Sequence, residues 1–113
     1  MTDCLFCRMA ARTIPVDMVA DEPEAFAIKD IRPQAPLHLL VIPKAHIPTL
    51  AEVGDAHAPT MAKSLLLANR LAKQYAAGQG YRVVINCGSQ AGQSVWHVHI
   101  HLLAGRPMQW PPG

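Results

Sequence analysis

Along this chain apolar and polar positions recur with two periods, a two-residue alternation in several short stretches and a helical spacing in one long stretch. The helical stretch runs from about Asp55 to Ala77, where Met61, Leu65, Ala68, Ala72 and Tyr75 return every three or four residues and predict one buried face. Pro59 fits only its first turn, and Gly78 suits a C-terminal cap. A short helix is expected over Cys4 to Arg12, stopped ahead of Ile14-Pro15 because the residue before a proline avoids the helical region. Val16 to Asp21 and Ala25 to Lys29 read as strands around the turn Asp21-Glu22-Pro23-Glu24. Two prolines make Ile31 to Pro36 an irregular connection. His38 to Ile42 is apolar enough to lie mid-sheet, with Pro43 stopping it, and Tyr81 to Asn86 and Val95 to Leu103 complete five strands. Consecutive strands with short connections, plus one long helix on one face, predict an α+β class: a five-stranded antiparallel meander with one long and one short helix, in a single domain over residues 1–113.

Composition narrows the partners. A chain of 113 residues supports one core but sits low on the stability scale, and oligomerisation would compensate. Half the residues are hydrophobic and 16% are charged, a globular balance. The net charge of +2, without a Lys/Arg run, gives no footprint for nucleic acid, so a small-molecule partner is expected. No apolar stretch is long enough to span a membrane and no secretory hydrophobic region opens the chain, so a cytoplasmic protein is expected. Three cysteines, an odd number, argue against a disulfide framework.

Against this bland background one run carries chemistry: His97-Val98-His99-Ile100-His101-Leu102-Leu103. On a straight strand the three imidazoles share a face about 7 Å apart, placing His97 and His101 roughly 13 Å from each other. A zinc ion needs its nitrogens at about 2.0 Å, so three ligands from one strand are disfavoured and separate jobs are expected. The preceding loop, Asn86-Cys87-Gly88-Ser89-Gln90-Ala91-Gly92-Gln93-Ser94, has the small and glycine residues of an anion-binding nest without a GxxxxGK pattern. Imidazole titrates near neutrality and is both a nucleophile and a leaving group at phosphorus. The middle residue, His99, is flanked on both sides and is the nucleophile this pattern favours.

These residues resemble the histidine triad (HIT) family, whose signature is His-φ-His-φ-His-φ-φ behind a Gly-Gln-Ser turn. The resemblance extends to Asp30-Ile31, Pro33 to Pro36, His38, Val41 to Lys44 and the terminal Trp110-Pro111-Pro112-Gly113, an ending similar to the purine nucleoside phosphoramidase branch. It implies hydrolysis of AMP-amine phosphoramidates through a nucleotidyl-histidine on His99, with no cofactor required for catalysis. His101 would bond a phosphate oxygen together with the backbone N–H groups of Gly92, Gln93 and Ser94, Ser94 would also touch the leaving group, and His38 would hold the tautomer of His99. Asp30 would accept the ribose hydroxyls, Asn86 would assist at ribose or phosphate, and Ile14, Ile28 and Ile31, with Phe6 and Met9 as further candidates, would form the base slot. The resemblance also implies a homodimer, with the tail, residues 104–113, reaching toward the partner's site.

Cys4 and Cys7 form a C-x-x-C pair, half of a zinc site that His46 and His97 would complete. Related family members and hexose-phosphate uridylyltransferases resemble this arrangement, whereas the phosphoramidase branch often lacks the cysteines. A structural zinc and two buried small side chains therefore stand as alternatives. Two other functional readings use the same residues, a dinucleoside polyphosphate hydrolase and a non-catalytic nucleotide- or zinc-binding interaction protein. His57 reads as an exposed helix-start residue, and Cys87, inside the glycine loop, as packing with an oxidation-sensitive thiol as the alternative.

Overall fold

The computed structural model describes residues 3–75 and 77–113. The elements are α1 (Leu5–Ala10), β1 (Ala20–Asp21), β2 (Ala25–Lys29), β3 (Leu37–Pro43), α2 (Ala58–Tyr75), β4 (Tyr81–Val84) and β5 (Ile100–Ala104), with short 3-10 turns between them. The five strands form one antiparallel sheet, as the patterning predicts, in the order β1-β2-β3-β5-β4. The order departs from a simple meander at one place. β5 enters between β3 and β4, because α2 carries the chain across the sheet before β4 begins at its edge.

Period-two alternation divides the sheet into two apolar layers. Ala25 and Ala27 of β2, Leu39 and Val41 of β3, and Ile100 and Leu102 of β5 pack beneath Leu67, Ala68, Leu71 and Ala72 of α2. The opposite face carries Phe26, Leu40 and Ile42, which pack with Phe6 of α1. Each layer is sealed by one helix, and the face covered by the short one keeps room for a site.

Several expectations shift. The buried stripe of α2 is Ser64, Leu67, Ala68, Leu71 and Ala72, while Leu65 and Tyr75 are half exposed. Ser64 holds its place in the stripe because its hydroxyl donates to the Thr60 carbonyl at 2.8 Å. α2 is described to Tyr75, and residue 76, within the helix expected to run to about Ala77, lies outside the described residues. The first strand is only Ala20–Asp21, and β4 ends at Val84. β5 starts at Ile100, five residues later than expected, because residues 95–97 bend and the Val98 N–H donates to the Ile47 carbonyl at 2.7 Å, outside the sheet ladder. His57 is half buried, and its Nδ1 accepts the Gly54 N–H at 3.0 Å, capping the turn before α2.

Candidate active site

The bend ahead of β5 separates the histidines by task. His101 lies on β5 opposite Leu40, and His38 lies on β3 opposite Leu103, so the two imidazoles are diagonal neighbours on one sheet face. His38 Nε2 is 2.9 Å from His101 Nδ1. His38 therefore engages His101 and not His99, a correction to the expected pairing that follows from cross-strand register. His99 sits just before the strand, buried, with its Nδ1 2.9 Å from the His97 carbonyl. His97 turns into the interior, wholly buried, with its Nε2 2.7 Å from the Pro43 carbonyl.

Hydrogen-bond partners fix the tautomers of His99, His38 and His101. A carbonyl only accepts, so His99 carries its proton on Nδ1 and leaves a lone pair on Nε2. The Gln34 N–H donates to His38 Nδ1 at 3.0 Å, so the His38 proton is on Nε2 and is donated to His101 Nδ1. His101 is then left with Nε2–H. A lone pair on His99 thus stands beside a donor on His101, with ring centroids 5.1 Å apart. Burial, then the neighbouring His99 and His38, push the His101 pKa down to about 4 against the opposing pull of Asp30, and burial lowers that of His38. Both rings are neutral at pH 7, as this chain of donors and acceptors requires.

A cleft of about 300 Å³ opens onto these groups. Ile28, Asp30, Ile31, Asn86, Gly92, Ser94, His99 and His101 border it, as do Phe6 and Met9. Ile14 does not. Leu5, Lys29, Leu40 and Val95 also line it without having been singled out from the sequence. Leu40 had a readable signal, since period two counted from His38 puts it on the same face. Asp30 Oδ1 accepts the Arg32 N–H at 2.8 Å, and its Oδ2 lies 3.4 Å from His38 Nε2, so one carboxylate braces the turn and faces the histidines.

The glycine loop is braced from inside. Gly88 and Gly92 take φ of +93° and +96°, conformations that disfavour a Cβ. Gln93 is buried, its Nε2 donating to the Pro48 and Val95 carbonyls at 2.7 and 3.1 Å and its Oε1 accepting the Gly88 N–H at 2.9 Å. The Gly92 and Gln93 N–H groups close the turn on the Ser89 and Gly88 carbonyls. Two of the three expected phosphate donors are thus consumed by the turn, and Gln93 acts as its strut. Ser94 is exposed at the cleft.

Behind the cleft, Cys4, Cys7, His46 and His97 converge, with one ligand atom of each within 4.8 Å of all the others. Cys4 Sγ and Cys7 Sγ lie 3.3 and 3.6 Å from His97 Nδ1, Cys7 Sγ lies 3.3 Å from His46 Nδ1, and the two Nδ1 atoms are 3.1 Å apart. Ligands of a tetrahedral zinc are separated by about 3.3–3.8 Å, given metal distances near 2.0 Å for nitrogen and 2.3 Å for sulfur. The Pro43 carbonyl holds the His97 proton on Nε2, so the Nδ1 lone pair faces the sulfurs. Burial and the adjacent Cys4 push the Cys7 thiol up to about 11, so a cation is what would keep the Cys7 sulfur as a thiolate at neutral pH. The four side chains fit zinc in number, type and spacing.

Comparison with known proteins agrees with this architecture. The HIT domain family profile matches residues 11–108. An uncharacterized HIT-like protein of Synechococcus elongatus is 44% identical over 111 residues, covering 98% of this chain and 97% of that protein. The crystal structure of a HIT family hydrolase from Legionella pneumophila superposes with a TM-score of 0.93 at 47% identity, covering 98% of this chain and all (100%) of that one. A zinc-bound histidine triad family protein from Mycobacterium smegmatis superposes with a TM-score of 0.77 at 30% identity, covering 93% of this chain and 76% of that one. With the family profile spanning residues 11–108 and relatives of this identity covering almost the whole chain, this protein belongs to the HIT family.

Proposed function

We propose that the protein is a hydrolase of purine nucleoside phosphoramidates that works through a covalent nucleotidyl-His99 intermediate. The observation that carries this reading is the fixed protonation of the site, a lone pair on His99 Nε2 next to a donor on His101 Nε2. His99 Nε2 attacks the α-phosphorus, the P–N bond breaks, and the amine leaves with a proton relayed from solvent past Ser94. Positive charge develops on the His99 ring, and the His97 carbonyl, already accepting from Nδ1–H, stabilises it. His101 and the Ser94 N–H bond the phosphate oxygens. Water then cleaves the P–N bond to His99, releasing the nucleoside monophosphate and restoring the neutral ring.

The remaining assignments follow the cleft. Phe6, Met9, Ile28 and Leu40 offer an apolar slot for the base, Ile31 forms its lip, and Asp30 accepts the ribose hydroxyls with Asn86 nearby. Ile14 and the Gln93 side chain are not part of this set. Cys4, Cys7, His46 and His97 would hold a structural zinc, which when bound supplies a cross-link between α1 and the segments preceding β5 and following β3. Thiolate ligands fit a reducing compartment, consistent with a cytoplasmic location. Among the described residues no helix is long and apolar enough to cross a membrane.

We further propose a homodimer. β4 is an edge strand, and Leu65 and Leu66 of α2 are 51% and 53% exposed. The Tyr81 hydroxyl at the start of β4 donates to Asn69, one helical turn from Leu65, so the strand edge and the apolar strip form one surface. The tail beyond β5 carries Trp110, 85% exposed, suited to reach a partner's cleft. Turnover of an adenosine phosphoramidate compared with that of diadenosine polyphosphates tests the substrate class. Preference for the phosphoramidate supports the proposal, and preference for the polyphosphate replaces it.

A further inference from the structure

The metal-ligand cluster and the base slot share one six-residue helix and its N-cap. Cys4 caps α1, its Sγ accepting the Cys7 N–H at 3.4 Å, and the residues between and just after the two cysteines, Leu5, Phe6 and Met9, line the cleft. Phe6 is 3% exposed and sets its ring edge-on to two histidines with different tasks. Its centroid is 5.7 Å from the His97 ring at 85°, and 5.3 Å from the His99 ring at 77°. One aromatic side chain therefore touches a proposed metal ligand, the proposed nucleophile and the space proposed for the base. A helix of six residues has almost no stability of its own. Apart from its apolar contacts, α1 is joined to the body where its two sulfurs meet His46 and His97.

We infer that metal bound by Cys4, Cys7, His46 and His97 sets the position of α1, and through Phe6 sets the shape of the nucleotide slot, so that metal occupancy controls nucleotide affinity as well as fold stability. Phe6 is a wall of the proposed base slot and also transmits the cross-link to the cleft. The inference rests on the nucleotide-hydrolase reading only for the identity of the ligand. The movement of α1 is measurable without any nucleotide.

The test uses full-length protein with methyl-13C methionine, loaded with one equivalent of zinc and then stripped by a chelator. Met9 lies on α1 at the cleft, and Met61 lies on α2 away from it, so the two methyl signals report the slot and the scaffold separately. The expected result is a shifted or broadened Met9 signal with Met61 unchanged, AMP binding weakened about tenfold or more by calorimetry, and restoration of both on adding zinc back. An unmoved Met9 signal, or unchanged AMP affinity in the stripped protein, overturns the inference. A Met9 signal that responds to zinc in a protein that binds no AMP upholds the control of the slot and removes the purine reading instead.

If stripping unfolds the chain, the zinc-loaded Phe6→Ala and Phe6→Leu variants decide. With one zinc per chain retained, Phe6→Ala is expected to raise the AMP Kd and the KM about tenfold, and Phe6→Leu to recover most of that loss. Equal affinity in wild type and Phe6→Ala contradicts the role given to Phe6.

Discussion

At the scale of single residues the account depends on where protons sit. His99→Ala removes the lone pair that attacks phosphorus, so hydrolysis of an adenosine phosphoramidate should fall by roughly three orders of magnitude or more while the AMP Kd stays within about tenfold. Steady-state kinetics with calorimetry checks both. His38→Ala removes the donor that holds His101 Nδ1 as an acceptor, and kcat should fall about 10–100-fold with little change in AMP affinity. The sequence made the chemistry of the histidine row legible, because three imidazoles behind a glycine turn have few bland explanations. The pairing of His38 was not legible from it. That pairing depends on β3 and β5 aligning His38 with Leu103, a register that no local pattern encodes.

At the scale of elements, the strands and the long helix could be read from periodicity, but two details required the folded chain. Residues 65 to 67 are three consecutive leucines, and a helix can turn only part of such a run inward. The structure buries Leu67 and fills the rest of the stripe with Ser64, Ala68, Leu71 and Ala72, a set disguised by the serine. The late start of β5 was hidden because alternation continues through His97 and His99, although the backbone there bonds outside the ladder. Turns impose a sharper demand than strands. Gly105 has φ +98°, and a Cβ there would lie 2.8 Å from Pro36 Cβ, so Gly105→Ala combines left-handed strain with a clash and should cost roughly 2–3 kcal/mol in urea unfolding. At Gly92, with φ +96° and only a 3.8 Å contact to Asn86 Nδ2, alanine meets strain alone. A cost of about 1–2 kcal/mol is expected there, with weaker phosphate binding as the loop readjusts.

At the scale of the whole molecule, burial of neutral histidines links stability to pH. The His101 pKa is about 4 in the folded chain against 6.5 for an ordinary histidine, with His99, His38 and Asp30 facing it, so below pH 6.5 the unfolded chain binds a proton that the native state refuses. Stability should hold above about pH 6.5 and decline as pH falls toward 4, and urea midpoints across that range should show a smaller decline in His101→Gln. The exposed strip of Leu65 and Leu66 beside β4 makes a second prediction at this scale. Wild-type protein should sediment as a dimer and Leu65→Asp as a monomer. Family, sheet and helix could all be read from 113 residues because patterning and motif agreed, whereas the shared use of α1 by cysteine cluster and cleft emerges only when distant segments meet.

The most direct test is mass spectrometry of enzyme quenched in acid-free conditions during turnover of an adenosine phosphoramidate. The account predicts an adenylyl adduct on the peptide containing His99, absent in His99→Ala. An adduct on any other residue, or steady turnover in the His99→Ala protein, would contradict it.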